Sequence, residues 1–181
     1  IFQLTVNISL IILIMGYIIM GKNIPFNALE LLWINVIMDG PPAIALGSES
    51  INNYKLKKVV FKRNHPLISI RMILRIIISS LIISSLCLLQ ANFNYICCSS
   101  NEQKSVIFSL FVFLQLINIY NIIEKALNLK RHFILYLMII LVILVQIFIT
   151  NYFGNAFNLS PLKMNIWLKI LGVCLFTFLL N

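Results

Sequence analysis

The stretch LLWINVIMDGPPAIALG, residues 31–47, begins as an uninterrupted apolar helix and then places an aspartate, a glycine and two prolines where a membrane span tolerates them least. An aspartate at the centre of a spanning helix costs about 2.5 to 3.5 kcal/mol on insertion scales, so Asp39 calls for a function. Asn35 precedes it by four residues and therefore shares its helical face. Gly40, Pro41 and Pro42 follow at once. Proline removes backbone donors and disfavours helix at the residue before it, which predicts a local break that frees carbonyls in residues 37–40. A carboxylate, an amide oxygen and freed carbonyls make the all-oxygen set that hard cations such as Ca2+ or Mn2+ prefer. Broken helices near the bilayer midplane serve ion sites in transporters for this reason. The alternative is a kinked helix in which Asp39 pairs with Asn35 or with a neighbouring span and binds nothing.

Around this stretch the chain is just as apolar. Of 181 residues, 61% are hydrophobic and only 10% charged, which excludes a soluble domain with an ordinary surface. Six apolar runs stand out, at residues 1–20, 26–46, 69–90, 106–123, 133–150 and 165–181. Each is close to the roughly 20 residues that carry a helix across the hydrocarbon of a bilayer. Backbone groups in lipid must be satisfied internally, and the alternation of a membrane barrel is absent, so the expected fold is all-α. It is a polytopic bundle of six transmembrane helices filling one domain over 1–181, with membrane lipid as its surroundings. The chain opens inside one apolar run, without methionine or a basic lead, and closes inside another, which predicts a fragment of a longer protein. The first run lacks the cationic lead and small-residue cleavage site of a signal peptide.

A net charge of +9 could suggest nucleic acid, but the basic residues are distributed as a topology signal and no nucleic-acid partner is expected. Lys55, Lys57, Lys58, Lys62, Arg63 and Arg71 follow the second run, and Lys125, Lys130 and Arg131 follow the fourth. The first, third and fifth loops hold only Lys22, Lys104 and Lys163. Nine against three makes the second and fourth loops cytosolic. The segment KLKKVVFKRNHPLIS, residues 55–69, is then either a docking surface for a cytosolic domain or a solvated charge run that fixes topology. Cys87, Cys97, Cys98 and Cys174 form no CxxC pair and have no histidine in ligand spacing, so neither zinc nor a disulfide framework is indicated. A bridge between the adjacent Cys97 and Cys98 is disfavoured by strain. His65 and His132 read as interfacial. Amides inside other runs, Asn7 in the first and Gln115 with Asn118 in the fourth, are candidate ligands beside Asn35 and Asp39, or else interhelical glue.

With those residues in hand, LLWINVIMDGPPAIALGSES at residues 31–50 resembles the sixth membrane helix of calcium-transporting P-type ATPases. FQLTVN at residues 2–7 resembles the fifth helix of the plasma-membrane-type pumps, and RNHPLIS at 63–69 the loop before their seventh. FVFLQLIN at 111–118 resembles the eighth, and FGNAFNLSPLKMNIWL at 153–168 the entry to the tenth. MDGPPA at 38–43 is closer to the secretory-pathway branch.

The resemblance implies that Asn35 and Asp39 hold a calcium ion together with a fourth-helix glutamate absent from these residues. Two-ion relatives add an acid at the position of Leu10, and Gln115 matches the residue that replaces an eighth-helix acid in one-ion members. Both point to a single site. The chain would thus be the fifth to tenth helices of an ATP-driven pump. ATP and Mg2+ would be used in phosphorylation and nucleotide domains lying outside it, so that the segment alone cannot catalyse. Partners would be the remaining N-terminal helices and cytosolic domains. Calmodulin is compatible with the resemblance, although no site for it is visible here. The membrane would be the plasma membrane or an intracellular one such as Golgi or vacuole. Two other classes remain beside this reading: an ion-coupled secondary transporter, for which internally related halves are expected and none is seen, and a membrane assembly protein with a structural Asp39.

Overall fold

A computed structural model describes residues 1–47, 69–122 and 133–180, and every regular element among them is helical. The helices are α1 (Phe2–Ile19), α2 (Ala28–Gly47), α3 (Ile70–Phe93), α4 (Gln103–Ile122), α5 (Phe133–Tyr152), the single turn α6 (Gly154–Phe157) and α7 (Met164–Leu180). Six long helices thus occupy the six apolar runs, and α6 is an addition inside the fifth loop. By length and composition, three of them, α1, α3 and α5, are sufficient to cross a bilayer, while α2, α4 and α7 contribute shorter apolar stretches. The residues expected to dock a cytosolic domain, 55–69, lie outside the described residues except for Ser69.

The core is built around α4. Residues 105–116 are all buried, as expected of a helix that is apolar on every side. It packs against α3, α5 and α7, and less extensively against α1 and α2. Phe26, just before α2, lays its ring against Phe108 and Phe111 of α4 at centroid distances of 6.2 and 5.6 Å, and Phe113 meets Trp167 of α7 at 5.8 Å. The largest helix pairing is α1 on α3. Gly16 permits that approach, since a Cβ there would stand 2.7 Å from a terminal carbon of Leu88, and Ser80 Oγ donates to the Thr5 carbonyl at 3.1 Å. The outer faces carry leucine and isoleucine stripes at helical spacing, such as Leu137, Ile140, Leu141, Leu144 and Phe148 on α5.

Three connections meet at one end of the bundle. Lys22, after α1, donates to the Ala91 carbonyl at 2.8 Å and to Asn92 Oδ1 at 2.7 Å, placing a cation at the C-terminus of α3. Lys169 of α7 reaches the Ile96 carbonyl at 2.7 Å, and the Ser160 amide donates to Ser105 Oγ at 2.8 Å. Between α3 and α4 the chain turns through Asn94, which sits in the left-handed region at φ 45°. Ser99 then gives its N–H and hydroxyl to Glu102 at 2.9 and 2.7 Å, which starts α4 and holds the Glu102 carboxyl below its ordinary range. Cys97 and Cys98 are both free thiols.

Candidate cation site

The local order of α2 comes from its first turn. The Asn27 amide donates to Glu30 Oε2 at 2.6 Å, and the Asn27 carbonyl accepts from Leu31 N–H at 3.0 Å, a capping arrangement of the N-x-x-E type. Glu30 is completely buried. Lys104 Nζ lies 3.1 Å from its other oxygen, an ion-pair contact rather than an aligned hydrogen bond. Glu30, Ile34 and Ile37 form the inner face of α2. Trp33 Nε1 donates to Gln146 Oε1 of α5 at 3.0 Å. These contacts fix the rotation of α2, and with it the opposite face, on which Leu32, Asn35, Val36, Asp39 and Gly40 are exposed.

Asn35 and Asp39 therefore do share one face. The break predicted at residues 40–42 is not there: α2 runs without interruption to Gly47. The prolines act more locally than expected. Pro41 and Pro42 have no N–H to give to the carbonyls of Ile37 and Met38, four residues earlier, while the residues that follow continue the ladder. Two carbonyls lose their helical partners without the helix ending.

A residue that the sequence reading did not single out touches the carboxylate. Gln3, in the first turn of α1, donates through Nε2 to Asp39 Oδ1 at 2.6 Å. Asn7, one turn further, lies on the same exposed stripe of α1. Gln115 and Asn118 are turned elsewhere. Gln115 is buried and donates to Ser9 Oγ at 2.7 Å, and among the described residues its Oε1 accepts no hydrogen bond. Asn118, also buried, borders a small void with Ser79, Thr177 and Ile117. Leu10 is half-buried. The structure thus brings Gln3, Asn35 and Asp39 to one exposed region, with Asn7 one turn from Gln3 on α1, while Gln115 is engaged with Ser9 and Asn118 is buried with its Nδ2 unpaired among the described residues.

The oxygen donors that this part of α1 and α2 can offer are the Asp39 carboxylate, the amides of Gln3 and Asn35, and the two carbonyls that the prolines leave without a helical donor. No cluster of three His, Cys, Asp or Glu side chains suited to a metal occurs among the described residues. An oxygen set with a single negative charge fits a hard cation held by mixed carbonyl and carboxylate ligation, and it does not fit zinc or copper. In the sequence Gln3 stands one turn before Asn7 and Glu30 third after the helix-capping Asn27, and neither position alone shows its partner.

Comparison with known proteins bears on this geometry. The profile described as "Cation transporting ATPase, C-terminus" matches residues 23–181. The chain is 40% identical over 82 residues to "Calcium-transporting ATPase 1" of Schizosaccharomyces pombe, covering 45% of this chain and 9% of that protein. Similarity to "Calcium-transporting ATPase 5, plasma membrane-type" of Oryza sativa subsp. japonica, at 29% identity, covers 98% of this chain and 18% of that protein. Similarity to the human "Calcium-transporting ATPase type 2C member 1", at 39%, again covers 45% and 9%. The chain spans less than a fifth of the length of these relatives. With three helices long and apolar enough to cross a bilayer, it is an integral membrane protein. Matched over most of its length, the chain belongs to the cation transporting ATPase C-terminus family.

Proposed function

We propose that the chain is the C-terminal membrane region, the fifth to tenth helices, of an ATP-driven calcium pump, with Asn35 and Asp39 supplying part of a single Ca2+ transport site. The observation that carries the reading is the shared exposed face of Asn35 and Asp39, next to carbonyls that Pro41 and Pro42 leave without a helical donor. The names of the relatives, all calcium-transporting ATPases, support Ca2+ as the ion. Mn2+ suits the same oxygen donors. A fourth-helix glutamate and the other membrane helices of the parent would cover the exposed polar face. Phosphorylation of an aspartate from ATP, with Mg2+, would occur in its cytosolic domains and drive alternating access at Asp39. Neither a secondary transporter nor an assembly protein gains support from the family or from the relatives. The plasma membrane, Golgi and vacuole are the membranes in question, and the basic segment 55–69 is the proposed contact with the phosphorylation domain.

A single ion follows from neutral chemistry at two positions. Leu10 offers no oxygen, and Gln115 is engaged with Ser9. Equilibrium binding of radioactive calcium to the full-length protein, normalised to phosphorylation sites, tests the count. The expected value is near one, and a value near two overturns the single-site reading.

A further inference from the structure

The contact between Gln3 and Asp39 joins residues 36 positions apart on two helices. At 2.6 Å it is short for an amide donor, as charge-assisted bonds to a carboxylate are. Gln3 is brought there by an independent framework. α1 packs mainly on α3, through Thr5, Ser80, Gly16 and Leu88, so the amide is set in place by contacts that do not involve α2. The rest of the exposed stripe on α1, apart from Asn7, is apolar: Leu4, Ile11, Met15 and Ile18. On a stripe that is otherwise apolar, the glutamine is a polar exception, and its amide meets the carboxylate of the site.

A primary amide offers a donor and an acceptor at opposite corners of one flat group. Facing an ionised carboxylate with no cation nearby, only the N–H corner is attractive. Facing a divalent cation the preference reverses, because the cation repels the N–H dipole and attracts the oxygen. The terminal amide torsion is broad and roughly two-fold, so the exchange needs no backbone movement.

We propose that Gln3 is a third side chain of this cation site, donating to Asp39 through Nε2 when the site is empty and turning Oε1 onto the divalent cation when it is filled. The inference rests on reading Asp39 as a cation ligand. It gives the unliganded carboxylate a partner in a setting where a lone charge is costly, and it adds an oxygen to a set that is otherwise short of ligands for a cation taking six to eight.

Equilibrium binding of radioactive calcium, without ATP, to the purified full-length parent protein tests the proposal, with monodisperse elution as the control for folding. Gln3→Leu, which fills similar space without a ligand atom, should weaken calcium binding about tenfold, the scale of one lost contact to a charged partner. Gln3→Glu keeps both reach and oxygen and should bind at least as tightly as wild type. Asp39→Asn, measured in parallel, should lose binding. If Gln3→Leu binds like wild type while Asp39→Asn loses binding, Gln3 is not a ligand and the reading of Asp39 stands. Equal weakening in Gln3→Leu and Gln3→Glu makes Gln3 a helix contact only and also overturns the proposal. If Asp39→Asn binds like wild type, the underlying site fails and the role of Gln3 fails with it.

Discussion

At the scale of single residues, two acids on α2 have opposite surroundings and opposite tasks. Asp39 faces outward, held by one amide. Glu30 faces inward, fully buried, and clamps the start of α2 to Lys104 of α4. Burying an ion pair is expensive, and much of what Lys104 contributes is the avoidance of an unpaired Glu30 carboxylate. Lys104→Met should therefore cost a large part of the roughly 3–5 kcal/mol seen when a buried pair loses one partner, reduced because 29% of its side chain is exposed. Adding Glu30→Gln to Lys104→Met should recover most of the loss. Thermal unfolding of the single and double variants in detergent checks this, and additive losses would mean that the two side chains do not interact.

At the scale of elements, α2 shows why a helix containing Pro41 and Pro42 can be a working part rather than a flaw. A proline pair inside a water-exposed helix usually ends it. Here the first half of α2 is fixed by Ile34, Ile37, Trp33 and Glu30, and the helix runs on through the missing donors to Gly47. Replacing both prolines by alanine returns N–H donors to the carbonyls of Ile37 and Met38. The double variant should unfold at a higher temperature and bind calcium more weakly, two shifts of opposite benefit. Unchanged affinity would show that these carbonyls do not serve the ion. The apolar runs made the all-helical class legible, because chain hydrophobicity marks a helix whichever neighbours it meets, whereas among the described residues three helices, not six, are long and apolar enough to cross a bilayer. Rotation about each helix axis was harder to read. That Asn35 and Asp39 share a face follows from spacing alone, whereas the outward aspect of that face, the burial of Gln115 against Ser9, and the reach of Gln3 to Asp39 depend on which helix packs where. Glu30 escaped notice because a carboxylate near the end of an apolar run resembles an interfacial residue until the partner lysine is seen across the bundle.

At the scale of the whole molecule, the loops after α1, α3 and α5 are tied together at one end by Lys22, Lys169 and Ser105. These are the loops poor in basic residues, the ones that the charge asymmetry assigns to the non-cytosolic side. Cys97 is exposed in the second of them, and burial pushes the thiol of its neighbour Cys98 up. A membrane-impermeant maleimide applied to the non-cytosolic face should label Cys97 and leave Lys57→Cys untouched. Labelling of Lys57→Cys from that side would reverse the topology.

Across all three scales the central claim is that Asp39 carries the ion, and its most direct test is phosphorylation of the full-length protein. Asp39→Asn preserves size and hydrogen bonding and removes only the charge a divalent cation needs. The variant should insert and fold, lose calcium-activated phosphorylation from ATP, and keep phosphorylation from inorganic phosphate, which in pumps of the resembled kind proceeds with the site empty. Calcium-activated phosphorylation of Asp39→Asn at wild-type calcium concentrations would contradict the account and return Asp39 to a structural role.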